Sequence, residues 1–414
     1  MAKEIKIVVV GNGFGGTYTL RNLHKYFHKH TRTSLTLVGE KNYFLFTPLL
    51  HEVATGSISP ENIIEPIRKV LGCCLDRFYL GKVDKINTAS KTLQIGKDIV
   101  PYDYLVLAQG SQTNFYNIPG AEENSFSLKS LESAIKIKNH LITQMEKASR
   151  TEDDRERRRL LSFVVVGGGP SGVEVATEIH ELVVSTFTKY YTHTLIDDVS
   201  VTLVQRDPEL LPQFGPKIRQ KSLKVLTKKK IKVMLLAEVV KVGPSQISLK
   251  SGENIDTETI IWVAGIKPNI IPFDITPSTT PDGRLVTDEY LRLQNMENIF
   301  AIGDTSAVKN KDGRYLPALA QVAEKESVVI AKNLYRSINN QPLKSFQYKS
   351  AGNLVSLGQW MAAGEIAHFT FTGHITWWLW RTVYLSKMIS FKKKLRVAMD
   401  WTINIFSPRD ISQI

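Results

Sequence analysis

The sequence predicts an α/β chain of two Rossmann-like dinucleotide-binding domains followed by a C-terminal amphipathic helical region, on three observations. A strand, glycine turn and helix pattern occurs twice, at 5–10 leading into Gly11 and at 163–166 leading into Gly167. Each copy is followed by a further β-rich run, at 34–38 and 199–204, at a distance that completes a βαβ unit. After residue 350 the composition turns to Trp, Phe, Lys and Arg with little acid, which marks a third unit.

At 414 residues the chain can hold two to three domains with substantial cores. The expected divisions are 1–118 and 282–350 for a discontinuous first domain, 119–281 for an inserted second one and 351–414 for the tail. The charged run at 150–159, RTEDDRERRR, reads as a solvated helix end or linker before the second copy. A formal net charge of +13 favours phosphates, anionic lipids or nucleic acid without choosing among them. Cys73 and Cys74 are the only cysteines, and their adjacency fits neither a disulfide framework, a metal site nor a C-x-x-C pair, so a reducing compartment and no metal are expected. The chain enters a strand directly at Ile5, without the pattern of a signal peptide, which predicts a cytoplasmic protein. No stretch reaches the roughly 18 apolar residues of a spanning helix, so membrane contact is expected to be peripheral.

The first glycine turn, GNGFGG at 11–16, fits G-x-G-x-x-G through Gly11, Gly13 and Gly16. The first glycine permits the tight turn, the second lets backbone approach a pyrophosphate, and the third allows close helix packing. The phosphate then meets a helix N-terminus. GGGPSG at 167–172 repeats the spacing through Gly167, Gly169 and Gly172, and the repetition makes two nucleotide sites the expectation.

Each copy should place a carboxylate after its second strand to hold an adenosine ribose. In LTLVGE that position is Gly39, with Glu40 one residue later; in VTLVQRDPELLP it is Gln205, with Arg206 beside it. Glutamine beside arginine removes the repulsion that a carboxylate would exert on a 2′-phosphate. NADPH and NADH therefore both stay open as donors.

NIFAIGD at 298–304 ends a later strand on Gly303 and Asp304. With this motif the chain resembles the two-dinucleotide-binding flavoproteins, in which the first fingerprint holds FAD, the second holds NAD(P)H and a late GD motif returns to the flavin. YDYLVLAQGS at 102–111 and IWVAGIKPN at 261–269 are similar to the two further segments that close those sites. Within that superfamily the likeness is to the type II NADH dehydrogenases, single-subunit NADH:quinone oxidoreductases, and runs nearly from end to end. It is carried by NYFLFTPLLHEVATG at 42–56, GGGPSGVEVATEI at 167–179, AIGDTSA at 301–307, LAQVAEKE at 319–326 and the aromatic basic tail.

The resemblance implies an FAD site of Gly11, Gly13, Phe14, Gly15 and Gly16, with Glu40 and Lys41 after the second strand and Thr47 and Pro48 beside the isoalloxazine. It adds Val83, then Ala108, Gln109 and Gly110, then Gly303 and Asp304, and Ala320, Gln321 and Val322. It implies an NAD(P)H site of Gly167, Gly169, Pro170, Ser171, Gly172, Glu174, Gln205, Arg206, Ala264 and Gly265. Hydride transfer between stacked rings needs orientation and electrostatics from the protein, not a side-chain nucleophile.

Glu174 matches the glutamate that the family places near nicotinamide and flavin; the alternative is a first-turn glutamate favoured by the helix dipole and spaced i, i+4 from Glu178. The spacing in 317–332 predicts a helix with Pro317 in its first turn. The family motif A-Q-x-A-x-Q, read as the quinone site, is met there by Ala320, Gln321 and Ala323, while Lys325 replaces the second glutamine. An ammonium donates to a quinone carbonyl but cannot accept as glutamine does.

From 373 to 414 there are seven Lys or Arg against Asp400 and Asp410, with four of the six tryptophans. Trp377, Trp380, Tyr384 and Met388 fall at helical spacing, and Leu395, Met399, Ile403 and Phe406 repeat it. Both stripes are expected to lie on an anionic membrane surface, on the cytoplasmic side, against core-packing helices as the alternative. The expected reaction is oxidation of NAD(P)H and reduction of membrane quinone without proton pumping. Its rivals are a sulfide:quinone oxidoreductase, which needs spaced redox cysteines, a soluble NAD(P)H reductase, and a non-catalytic flavin-binding sensor or adaptor. No nucleic-acid motif is present, and a homodimer is left open.

Overall fold

The computed structural model describes residues 4–28, 32–72, 75–366 and 369–413. The reading of Cys73 and Cys74 lies outside the described residues. The chain divides into two units, one of Met1–Leu45, Ile64–Gln112 and Lys267–Lys349, the other of Phe46–Ile63, Thr113–Ile266 and Ser350–Ile414.

The first unit is built on a six-stranded sheet. Strand Ile5–Val10 is central, with Thr33–Gly39 and then Arg77–Leu80 on one side, and Tyr104–Leu107, Met296–Ala301 and Arg292–Leu293 on the other. Val10 stands opposite Val38 and Leu107 in parallel pairs. Because the sheet extends both ways from Ile5–Val10, its carboxyl end opens at a switch in strand order, where α/β sheets take their ligands. The strands are near-continuous Val, Ile and Leu because such sheets are covered on both faces. Val8, Val38, Leu105, Leu107 and Ile299 form the buried cluster on one face. Helix Phe14–Phe27 follows the first strand and packs on helix Ala320–Ile338, where Asn22 donates to the Ser327 hydroxyl at 3.0 Å.

The second unit repeats the plan with a five-stranded parallel sheet. Ser162–Val166 lies between Ser200–Val204 and Thr259–Trp262, with Lys232–Met234 and Phe126–Ser127 outside them. Helix Pro170–Leu182 follows the glycine turn. The unit also contains an antiparallel sheet of Asn353–Ser356, Ala362–Ile366 and Phe369–Gly373, which leads into helices His374–Lys387 and Phe391–Phe406.

Two expectations change and one gains detail. The helix expected from Pro317 begins at Ala320, because Leu319 is extended (φ −134°, ψ 142°) and Arg284 Nη1 holds the Leu316 carbonyl at 2.8 Å in the preceding segment. The charged run at 150–159 holds helix Asp154–Leu160, capped by Asp153, whose Oδ1 accepts from Arg155 N at 2.7 Å. It is tied down by Arg157 to Asp198 at 2.7 Å and Arg159 to Glu258 at 3.2 Å. The stripe of Trp377, Trp380, Tyr384 and Met388 turns inward: Trp377, Trp380 and Met388 are buried, and Tyr384 stacks on Trp380 at 4.4 Å between ring centroids. The opposite face of that helix exposes Ile375 and Trp378, and the next helix exposes Phe391, Leu395, Met399, Ile403 and Phe406. Helical period alone cannot tell a lipid-facing stripe from one that finds protein; here the first stripe packs inward, Trp380 against the buried Trp401, and the second is exposed.

Candidate functional site

The two glycine turns share one geometry. Gly11 has φ +103°, and a Cβ there would collide with the Ala108 carbonyl; a Cβ on Gly16 would collide with the Gly11 carbonyl. Gly167, at φ +118°, would strike Ala264, and Gly172 the Gly167 carbonyl. Protein atoms therefore require the first and third glycine of each motif. The middle glycines differ: a Cβ on Gly13 or Gly169 meets nothing within 4 Å. Gly13 and Gly169 are also the N-caps of their helices, without a side-chain cap and with no acid in the following turn. Each turn thus leaves open space in front of unsatisfied N–H groups, which fits a dinucleotide pyrophosphate.

Around the first turn, Asn12 donates to the Lys41 carbonyl at 2.8 Å and the Tyr43 carbonyl at 2.6 Å. A Cβ on Gly39, the last residue of the strand, would lie 2.7 Å from Asn12 Oδ1, so a side chain there would have to displace Asn12 from its two carbonyl partners, and the acid stands one residue later, at the exposed Glu40. Phe14 packs edge-on against Phe44 at 5.1 Å, a Cβ on Gly15 would meet Ile302, and Val83 and Ala108 are buried. Gln109 and Asn269 bind each other reciprocally, Gln109 Nε2 to the Asn269 carbonyl at 3.2 Å and Asn269 Nδ2 to the Gln109 carbonyl at 2.8 Å, while Asn269 N donates to the Gly110 carbonyl.

The GD segment reaches the same unit. Ser111 donates to Asp304 Oδ2 at 2.5 Å, and Gly303, at φ +70°, donates its N–H to Glu326 Oε2 at 2.7 Å. Burial raises the Glu326 carboxyl to about 8, against the hydrogen bonds from Gly303 and Ser306 that favour its charged form. Glu326 lies inside LAQVAEKE, but sequence reasoning did not separate it from the half-buried Glu324 and Lys325 beside it. Ala320 opens the helix, Val322 is buried and Gln321 is half-buried. Among the described residues Lys325 has no ion pair with an acid. Its Nζ donates to the Lys349 carbonyl at 2.5 Å and lies 5.2 Å from the Tyr348 ring centroid.

In the second unit Gln205 is buried and both ends of its amide are used: Oε1 accepts from Gly168 N at 2.8 Å and Nε2 donates to Asp207 Oδ2 at 3.0 Å. Arg206 is exposed, 3.5 Å from Asp207. The geometry gives Gln205 to the glycine loop and leaves Arg206 as the accessible cation beside it. Pro170 is at the first turn of its helix, Ser171 is exposed after it, and Tyr116 covers Gly265, with its hydroxyl 3.4 Å from the Ala264 carbonyl. Thr47 and Pro48 form a short 3-10 turn ahead of helix Leu50–Val53.

The second unit also buries a group of ionisable side chains that sequence reasoning saw only in part. Glu174 Oε1 accepts from Ser356 N at 3.1 Å and Oε2 lies 3.9 Å from His51 Nδ1. Glu178 pairs with Arg409 at 2.9 Å, and Glu52 accepts from Trp401 Nε1 at 2.5 Å and Ser57 at 3.1 Å. Arg381 stacks over Trp377 at 3.6 Å and Trp401 at 4.7 Å. Burial raises Glu174 to about 8 and Glu52 to about 7, and lowers His51 to about 4. Glu174 and Glu178 share a helix face but have separate partners. His51, Glu52, Arg381 and Arg409 are scattered in sequence, and only the likeness of 42–56 pointed toward the first two. Among the described residues no group of His, Cys, Asp and Glu could hold a metal ion.

Residues 5–327 match the pyridine nucleotide-disulphide oxidoreductase family, and residues 351–410 match the NDH2 C-terminal domain. A probable NADH dehydrogenase of Dictyostelium discoideum is 30% identical over 417 residues, covering 98% of this chain and 91% of that protein. A type II NADH:quinone oxidoreductase of Mycobacterium tuberculosis is 28% identical, with 98% and 89% covered. The structure of NDH2 from Plasmodium falciparum in complex with NADH superposes with a TM-score of 0.91 at 21% identity, over 99% of this chain and all of that one, and so shows the shared fold.

Proposed function

The chain belongs to the pyridine nucleotide-disulphide oxidoreductase family, in its type II NADH dehydrogenase branch, and from that premise we propose that it oxidises NAD(P)H and reduces membrane quinone by way of bound FAD. The observation that carries this reading is the pair of glycine turns whose middle glycines face open space, one for each dinucleotide. FAD, when bound, supplies the step from a two-electron hydride donor to a quinone acceptor.

The residues that would hold FAD are those of the first unit's turn, with Gln109 braced by Asn269 and Asp304 held by Ser111. Gly167, Gly169 and Gly172, with Gln205 fixing Gly168, would hold NAD(P)H. Gln321 and Lys325 are the proposed quinone-side residues. Reduction of quinone by NADH consumes one proton overall: NADH, quinone and H⁺ give NAD⁺ and quinol. Glu174, which burial keeps protonated near neutrality, is suited to hold that proton.

No helix among the described residues is long and apolar enough to cross a membrane. The exposed apolar side chains of Phe391–Phe406 and the basic run of Lys392, Lys393 and Lys394 support peripheral attachment to an anionic bilayer, proposed at the cytoplasmic face and without proton pumping. A test uses purified protein under anaerobic conditions: NADH should bleach the flavin band, and a quinone should restore it within turnover time. A yellow protein whose flavin stays oxidised with both NADH and NADPH would refute the reading.

A further inference from the structure

Helix Pro216–Lys228 contains five lysines or arginines and no acid. Lys217, Lys221, Lys224 and Lys228 fall at i, i+4, i+7 and i+11, one line down a single helical face, and all four are exposed. Ile218, Ser222 and Leu226 lie buried on the other side. Three basic residues around the line are engaged: Arg219 binds Glu209, Lys229 binds Glu181, and Lys232 lies 3.6 Å from Glu253. The four lysines of the line have no ion pair among the described residues. Like charges one turn apart destabilise a helix, and Lys217 in the first turn opposes the helix dipole. Only Lys228, in the last turn, is favoured by the dipole, so the line is an unneutralised cationic face that the rest of the local helix energetics opposes.

Its surroundings indicate what would neutralise it. The helix packs against strands Ala362–Ile366 and Phe369–Gly373, and Gly215 N at its start donates to Glu365 Oε2 at 3.0 Å. Those strands carry the exposed Ile366 and Phe369, the latter 70% exposed, and the helix that follows exposes Ile375 and Trp378. A cationic face on an element that packs against strands bearing uncovered apolar side chains has the composition of a membrane-associating surface. The line contains no arginine to grip a phosphate bidentately and no aromatic on which a base could stack, as nucleic-acid surfaces use.

We propose that helix Pro216–Lys228 is a second, electrostatic contact with an anionic bilayer, apart from the two C-terminal helices. The proposal rests on the peripheral-membrane reading above.

The test uses full-length, FAD-loaded protein, vesicles of phosphatidylcholine alone and vesicles mixed with phosphatidylglycerol, read by co-sedimentation over a range of salt. K217Q/K221Q/K224Q/K228Q should partition onto mixed vesicles at least about tenfold more weakly than wild type at low salt, with the difference closing at high salt. Binding to phosphatidylcholine and flavin reduction by NADH should be unchanged, and K217R/K221R/K224R/K228R should bind as wild type. Unchanged partition of the glutamine variant onto mixed vesicles overturns the proposal, as does equal loss on both vesicle types. So does a duplex oligonucleotide that binds wild type as tightly as the vesicles and with the same sensitivity to the substitutions. Wild type that binds neither vesicle defeats the peripheral-membrane reading itself.

Discussion

Arg409 Nη2 lies 2.9 Å from Glu178 Oε2, and both side chains are buried. Arg409 Nη1 also donates to the Thr55 hydroxyl at 2.9 Å, and Arg409 N to the Thr186 hydroxyl at 3.0 Å. One residue near the end of the chain thus holds helix Pro170–Leu182 and the segment after Leu50–Val53 together within the second unit.

Arg409→Met should therefore destabilise the protein by about 3–5 kcal/mol near neutral pH, because it strands the Glu178 carboxylate in a buried site. The double variant Glu178→Gln with Arg409→Met should recover much of that loss, since no charge is then left unpaired. Urea unfolding of the wild type, both single variants and the double variant measures the coupling. A single variant within about 1 kcal/mol of wild type would show that the pair carries little of the stability.

Stability should depend on pH through Glu326. The folded chain keeps its proton up to about pH 8, whereas its ordinary value is 4.5. The raised value makes the contribution full below 4.5 and removes it as pH climbs to about 8. Glu326→Gln keeps an acceptor for Gly303 N but cannot ionise, so its unfolding free energy relative to wild type should rise between about pH 5 and about pH 8. Denaturant titrations at both ends of that window decide the matter; a constant difference would mean that Glu326 titrates alike in both states. Glu174, also raised to about 8, contributes with the same sign.

Nucleotide preference should follow Arg206 rather than Gln205. Arg206→Ala is expected to lower kcat/KM for NADPH about tenfold and to leave NADH within about twofold, the size of one exposed contact to a 2′-phosphate. Gln205→Ala leaves Gly168 N without its side-chain acceptor and should weaken both nucleotides alike. Steady-state kinetics with both donors checks this, and a selective NADPH loss in Gln205→Ala would reverse the assignment.

Lys325→Ala should slow quinone reduction about tenfold while anaerobic reduction of the flavin by NADH keeps its rate, because Lys325 is proposed on the quinone side and takes no part in the proposed NAD(P)H site. Lys325→Gln restores the residue usual in the family and should retain most quinone turnover. Stopped-flow measurement of each half-reaction separates the two. Equal losses in both would assign Lys325 to holding residues 348 and 349, which it contacts through the Lys349 carbonyl and the Tyr348 ring.

Much was legible from local pattern. The glycine spacings at 11–16 and 167–172 needed no structure, because a positive φ and a missing Cβ are properties of single residues with short-range causes. Gly39 in place of an acid was visible, but its reason was not: Asn12 fills the space of its Cβ from 27 residues away in sequence.

The sequence by itself determined the two βαβ nucleotide turns, the family and the location of the cationic aromatic tail, since each is written in contiguous residues or fixed spacings. Tertiary structure decided which charges are buried and which apolar stripe is covered. His51, Glu52, Glu174, Glu178, Arg381 and Arg409 come from four separated segments, and the shifts of His51, Glu52, Glu174 and Arg381 come from desolvation that no single segment records. The stripes at 377–388 and 395–406 share a helical period, yet Trp380 is 1% exposed and Phe406 80%. A period fixes which residues share a face, and only packing fixes what that face meets.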